Sequence, residues 1–242
     1  MNNVVISFFI PSEGYTHSQN AYDSVNAACE RWGCEYIVFK QPIQPAGFHN
    51  MFTKLFLPSL VSSYKQCLYI DTDIIINSTT PNPFDIFSNK KNIYVVKDMQ
   101  QSFLTKDQKE EFKNTQLCLP WLDVCAHALG IKFDKQSYKD NFFNAGMFLF
   151  SPIYHMYVFK KITAALNNIN GKYKNIHQVE QALLNLAFMY FLKNRLTFIN
   201  KKWNYIDPDI ASEHMRGYLY HFTGLHYEKY KTEINKYTKW KY

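Results

Sequence analysis

Three short apolar runs, VVISFFI (4–10), EYIVFK (35–40) and CLYID (67–71), alternate with two longer stretches of helical character. VVISFFI is apolar throughout and reads as a buried strand. The stretch from Ser18 to Trp32 reads as a helix closed by Gly33. Prolines 42 and 45 and Gly47 mark a loop, and MFTKLFLPSLVSSYK (51–65) reads as a helix that Pro58 kinks or breaks. Strand, helix, strand, helix, strand is the order of an α/β fold. It predicts a mixed, mostly parallel central sheet flanked by helices. In such sheets ligands sit beyond the carboxyl ends of the strands.

The pattern continues without a linker. NIYVVKD (92–98) follows, then helices predicted around 105–112 and 119–129. NFFNAGMFLF (141–150) reads as a strand pair or one bent strand. Residues 152–169 and 177–194 are helical, and LTFIN (196–200) and GYLYHF (217–222) are strands. The expectation is one domain over residues 1–227 and a basic, aromatic tail over 228–242.

Several classes are excluded or narrowed at this point. With 47% hydrophobic and 17% aromatic residues the chain has ample material for a core. MNNVVISFFIPSEGY lacks a basic leader region, so it reads as a first strand and not as a signal peptide. The most apolar long segment, ALLNLAFMYFL (182–192), is too short to span a bilayer. Five cysteines, at 29, 34, 67, 118 and 125, form no close pair of the zinc-binding kind. They predict reduced thiols and a cytoplasmic setting. The tail EKYKTEINKYTKWKY carries five lysines against two glutamates. It reads either as a solvated helix or as a contact with an anionic membrane surface, its aromatics at the interface. Elsewhere acids and bases mix, and the basic stripe of a nucleic-acid binder is missing.

YIDTDIII (69–76) then stands out, because it sets Asp71 and Asp73 into apolar sequence at the end of the third strand. An ionised carboxylate resists burial unless it is paired or holds a metal. Residues i and i+2 of an extended segment point the same way, so both carboxylates can reach one Mg²⁺ or Mn²⁺. The alternative is two solvated acids at an exposed strand end. A second Asp-x-Asp, Asp207-Pro208-Asp209, straddles a proline and reads as a turn. Three further stretches carry polar residues beside apolar elements. In NAGMFLF (144–150), Asn144 offers a polar contact and Gly146 a close backbone approach, unless the glycine only marks a bulge. In HQVEQALLN (177–185), Glu180 and Gln181 open a helix, where an acid also suits the dipole. In YHFTGLH (220–226), His221 ends a strand and Gly224 follows. That histidine reads as structural or as a metal ligand.

In this order, FTKLFLPSL, YIDTDIIINSTTPNPFDIF, FFNAGMFLF, EQALLN, KKWN and YHFTG resemble glycosyltransferase family 8. This is the glycogenin and bacterial galactosyltransferase type, with the Rossmann-like GT-A fold. The resemblance runs from the first strand to about residue 230. It implies that Asp71, Asp73 and His221 hold Mn²⁺ (or Mg²⁺) on the diphosphate of a nucleotide sugar, usually a UDP-sugar. It places Pro11, Ser12 and Tyr15 at the nucleoside, and Lys54, Thr72 and Gly224 near the donor. Asp98, Asn144, Ala145 and Gly146 fall beside the donor sugar, and Glu180 and Gln181 near the anomeric carbon as the catalytic pair. The implied reaction moves a hexose with retention to a hydroxyl of a glycan, lipid-linked or protein acceptor. The sequence departs from the family where Tyr227 and Glu228 replace Lys-Pro, and where Glu180 replaces an aspartate. Two other readings stay open. One is a nucleotidyltransferase acting on sugar phosphates, although IPSEGY offers a single glycine and no base. The other is a degenerate transferase fold that binds a sugar or a partner.

Overall fold

β1 (Val4–Phe8) lies between β2 (Glu35–Phe39) and β3 (Cys67–Ile70) and runs parallel to both. The computed structural model describes residues 2–9, 19–98, 118–205 and 217–221. The helix expected around 105–112, the Asp207-Pro208-Asp209 turn and the tail 228–242 lie outside the described residues. β5 (Ile93–Lys97), β6 (Phe143–Phe150) and β7 (Leu196–Ile199) complete a six-stranded sheet in the order β2-β1-β3-β6-β5-β7. β6 is antiparallel to both of its neighbours, and β5 and β7 are parallel. The fold is therefore mixed α/β with a central sheet flanked by helices.

β6 is one eight-residue strand, not a pair. Its ladder with β5 shifts register between Val95 and Lys97, which face Phe148 and Phe143. A second sheet pairs β4 (Ile74–Ile76) with β8 (Leu219–His221), antiparallel, with Ile74 opposite His221. GYLYHF thus forms a strand outside the main sheet, and β4 adds a strand that the sequence did not reveal. Its three residues are too few to show a period.

Side chains alternate across the sheet, as the pleat requires. Val4, Ile6, Phe8, Tyr69, Val95, Phe148 and Phe150 meet the helices Leu122–Leu129, Pro152–Ala165 and His177–Phe191 on one face. Val5, Leu68, Ile70, Tyr94, Met147 and Leu149 join helix Gln19–Trp32, Trp203 and Leu219 on the other. Gly33, at φ 64°, closes the first helix as expected. Its N–H reaches Glu30 O and the next N–H reaches Cys29 O, the paired bonds of a Schellman end.

The helix expected over 51–65 is instead a 3-10 segment, Asn50–Leu55, and a short helix, Leu57–Leu60. The break falls at Phe56, and Pro58 sits in the first turn of the second piece, where its missing N–H costs nothing. Helix Lys135–Asn141, capped by the Asp134 side chain on Ser137 N–H, is an element the apolar pattern did not announce. Among the described residues no helix is long and apolar enough to cross a membrane.

Candidate active site

The β3–β6 ladder makes one bond beyond its last strand pair, from Asp71 N–H to Gly146 O at 2.8 Å. Asp71 is thereby held opposite Gly146. The chain then turns, with Ile74 N–H donating to Asp71 O at 3.2 Å. This corrects the expectation of one extended segment carrying both aspartates. Thr72 and Asp73 occupy the turn between β3 and β4, and the turn hydrogen bond replaces the ladder. The two carboxylates still converge, because β8 carries His221 in beside β4. His221 Nε2 lies 3.2 Å from Asp73 Oδ1 and 3.9 Å from Asp71 Oδ2. Ligand atoms of Asp71, Asp73 and His221 all lie within 4.8 Å of one another.

The donor set suits a hard divalent cation: two carboxylates and one imidazole. Asp73 Oδ1 is buried and makes no well-aligned hydrogen bond; its contact with His221 is electrostatic. Burial by itself would lower the pKa of His221, but Asp73 and then Asp71 outweigh it and raise it.

A cluster of buried ionisable groups backs this triad. Lys54 is 1% exposed. Its Nζ lies 3.3 Å from Asp71 Oδ1, 3.6 Å from Glu180 Oε2 and 3.5 Å from Ala145 O. Burial opposes its charge, yet Asp71 and Glu180 prevail and its pKa is raised. Glu180 behaves differently: burial pushes it up to about 8 against the pull of Lys54. Its Oε1 has no hydrogen-bond partner among the described residues. The Lys54 charge is therefore matched chiefly by Asp71, and Glu180 is poised as a neutral acid near pH 7. Withdrawal from water likewise raises Asp98 to about 7, with His221 opposing. Asp98 is close enough to His221 for that ring's charge to act on it, and its N–H is held by Phe142 O at 3.0 Å.

The Asn-Ala-Gly stretch lines the same place. Asn144 Oδ1 accepts from Gly146 N–H at 2.8 Å, and Gln181 Oε1 accepts from Ala145 N–H at 3.4 Å. Gly146 has no room for a side chain. A Cβ there would meet His221 Cε1, Asn144 Oδ1 and Asp71 Oδ2, all inside 3 Å. Its role is thus close approach, and it also lies in the part of β6, between Phe143 and Phe148, where the register with β5 shifts. Of the residues singled out from the sequence, Asp71, Asp73, His221, Lys54, Asn144, Ala145, Gly146, Glu180 and Gln181 are brought together by these contacts. Pro11, Ser12, Tyr15 and Gly224 lie outside the described residues.

Sequence reasoning missed three contributors. Tyr69 donates from its hydroxyl to Asp71 Oδ1 and so braces that carboxylate. Asn185, fully buried, bonds both Phe143 N–H and Phe143 O at 2.9 Å and ties helix His177–Phe191 to β6. Asn204 Oδ1 lies 3.0 Å from His221 Nδ1. An asparagine in an apolar helix, four residues after Gln181, was a readable signal for the second; Asn204 sat within KKWN without a role.

The model of the family described as Glycosyl transferase family 8 matches residues 15–239. Solved structures of similar fold include a glycosyltransferase involved in glycosylation of the major capsid of PBCV-1. It is 12% identical with a TM-score of 0.60, and 99% of each chain is covered. Galactosyltransferase LgtC, in complex with donor and acceptor sugar analogs, is 13% identical with a TM-score of 0.53, covering 96% of this chain and 95% of its own. Glycosyltransferase GlyE of Streptococcus pneumoniae TIGR4 is 11% identical with a TM-score of 0.52, covering 98% of this chain and 63% of its own. At such identities the likeness speaks to fold alone. No curated protein matches the sequence significantly.

Proposed function

Because the chain belongs to glycosyltransferase family 8, and is a glycosyltransferase of GT-A fold, we propose that it moves a hexose from a UDP-sugar to an acceptor hydroxyl with retention. Asp71, Asp73 and His221 would hold the divalent cation, Mn²⁺ or Mg²⁺. The observation that carries this reading is the convergence of these three side chains at the end of β3, with ligand atoms within 4.8 Å. When bound, the cation supplies Lewis-acid stabilisation of the diphosphate that leaves.

The chain's own residues do the rest. Lys54, held between Asp71 and Glu180, orients the Asp71 carboxylate and keeps a positive charge behind it. Asn144 and the backbone of Ala145 and Gly146 form the wall against which the sugar lies. Gln181 is braced on Ala145 N–H, which favours a positioning role over a nucleophilic one. Glu180, kept neutral by burial, avoids adding a third anion beside the aspartates. Asp98, raised to about 7, can offer a proton or accept one at a sugar hydroxyl. The acceptor hydroxyl, on a glycan, lipid-linked or protein substrate, must be oriented against the same wall for attack. Residues 228–242 are proposed to touch an anionic membrane surface; loss of vesicle binding on their deletion checks this.

Thermal stability with UDP, GDP, CDP and dTDP, each with and without Mn²⁺, tests the reading. A ligand at 100 times its Kd adds about 2.7 kcal/mol, which a melting curve resolves. A shift that needs both UDP and Mn²⁺ is the expected result. No shift with any pair overturns the nucleotide-sugar reading. Pyrophosphate release from a nucleoside triphosphate and a sugar phosphate would point to the nucleotidyltransferase instead.

A further inference from the structure

A run of three hydrogen bonds, beginning at a backbone N–H, ends on the ring of His221. Gly146 N–H donates to Asn144 at 2.8 Å. A backbone N–H can only donate, so the atom it meets is the Asn144 carbonyl oxygen, however the amide is drawn. The same oxygen lies 3.1 Å from the Asn204 amide. Two oxygens cannot share a hydrogen bond, so the Asn204 atom facing it is Nδ2. The Asn204 oxygen therefore faces the other way, where it meets His221 Nδ1 at 3.0 Å. An acceptor opposite Nδ1 requires the proton on Nδ1. Asp73 Oδ1, 3.2 Å from Nε2, is out of line for a hydrogen bond from it, and Asp71 Oδ2 lies at 3.9 Å, so Asn204 Oδ1 is the aligned acceptor and the neutral ring that satisfies it has a bare Nε2.

The backbone holds Asn204 in this place. The residue is 4% exposed and closes the 3-10 turn Lys201–Asn204. That turn is laced to β8 by Tyr218 N–H to Lys202 O (2.7 Å), Tyr205 N–H to Leu219 O (2.8 Å) and His221 N–H to Tyr205 O (3.2 Å). Trp203, beside it, is buried against Phe87 and Tyr218. The amide and the ring thus sit on segments whose separation is set by main-chain bonds.

We propose that Asn204 is a positioning residue that sets the Nδ1–H tautomer of His221 and so presents a bare Nε2 to a divalent cation. The proposal rests on the reading of Asp71, Asp73 and His221 as the cation site. A ligating histidine works through one nitrogen while the other donates to a fixed acceptor, and losing that acceptor weakens the metal by about 10- to 100-fold. A residue that merely filled space would leave both tautomers open.

The test uses the full chain with ¹⁵N-labelled histidine, metal-free, at a pH where the ring is neutral. Long-range proton–nitrogen correlation reads the tautomer directly. The wild type is expected to show His221 as Nδ1–H. Asn204→Ala is expected to populate Nε2–H, and Asn204→Asp, which keeps an acceptor opposite Nδ1, to retain Nδ1–H. Mn²⁺ is then added to each. Broadening of His221 should need at least about ten-fold more Mn²⁺ in Asn204→Ala than in wild type, and close to the wild-type amount in Asn204→Asp. An Nε2–H ring in wild type overturns the proposal. So does an alanine variant with unchanged tautomer and unchanged Mn²⁺ response. If the alanine variant does not fold, loss of Nδ1–H in Asn204→Asp overturns it equally. A wild-type Nδ1–H ring that Mn²⁺ never broadens rejects the cation site itself and leaves the tautomer control by Asn204 standing.

Discussion

A Cβ placed on Gly146 would stand 2.2 Å from Cε1 of His221. The ring cannot simply step aside, because Asn204 holds its far nitrogen and the β4–β8 ladder holds its backbone. Gly146→Ala must therefore shift the ring or the end of β6. The expected outcome is a loss of turnover of 100-fold or more, on the order expected for misplacing a catalytic group by about 1 Å, with a stability cost of about 1–3 kcal/mol. Steady-state kinetics beside a urea titration separates the two effects. A variant with wild-type turnover would show that the close contact has no bearing on the reaction.

Asp73→Asn should leave a folded protein without cation-dependent turnover. Asp73 lies in a turn, its side chain 29% exposed, and removing its charge also relieves repulsion with Asp71. The melting temperature should hold or rise slightly. Circular dichroism and an assay across a Mn²⁺ series make the check, and full activity in this variant would sink the proposed cation site.

Lys54→Met should destabilise the fold by about 3–5 kcal/mol, the usual cost of stranding the partners of a buried cation. Asp71 loses its counter-charge. Adding Asp71→Asn should return part of that loss, so the double-mutant cycle should show clear coupling; adding Glu180→Gln should change it little near pH 7, because burial keeps Glu180 neutral there. Strict additivity of Lys54→Met and Asp71→Asn in denaturant titrations would mean that Asp71 does not depend on Lys54.

His155 makes the fold acid-sensitive at a place away from the site. Its Nδ1 accepts from Ser151 N–H at 2.9 Å, so Nε2 carries the proton and donates to Lys91 O at 3.2 Å. Burial lowers its pKa from 6.5 to about 4. A lowered folded-state value means the neutral form is favoured by folding. This contribution is fully present above pH 6.5 and is lost as pH falls from about 6.5 to about 4. At 1.36 kcal/mol per unit it amounts to about 3 kcal/mol. Urea titrations at pH 7 and pH 4 should show His155→Gln losing less stability than wild type over this interval. Equal losses would remove His155 from the acid response.

Much of the framework was legible before the structure. VVISF, CLYI and FNAGMFLF are apolar because both faces of their strands are covered, and that shows in a single line of residues. Gly33 and Pro58 carried backbone constraints that local rules read correctly in kind, although the break near Pro58 came at Phe56. Asp71 and Asp73 were conspicuous because carboxylates are rare in such surroundings. The extended geometry assumed for them was wrong. A turn hydrogen bond at Ile74 competes with the ladder over a span too short for periodicity to reveal.

The sequence by itself determined most of the longer strands and helices, and that the end of β3 carries charge, because burial and hydrogen bonding leave a local pattern in the residues; β4 and helix Lys135–Asn141 left none. Only the tertiary structure decided that β6 enters antiparallel between β3 and β5, bringing Gly146 against Asp71. It also decided that β8 pairs with β4, that Lys54 is a buried counter-ion and that Asn204 reaches the far side of His221. The physical reason is range. These contacts join residues 17 to 147 positions apart. Their free energy depends on which strands pair and which faces meet, and no local period records that choice.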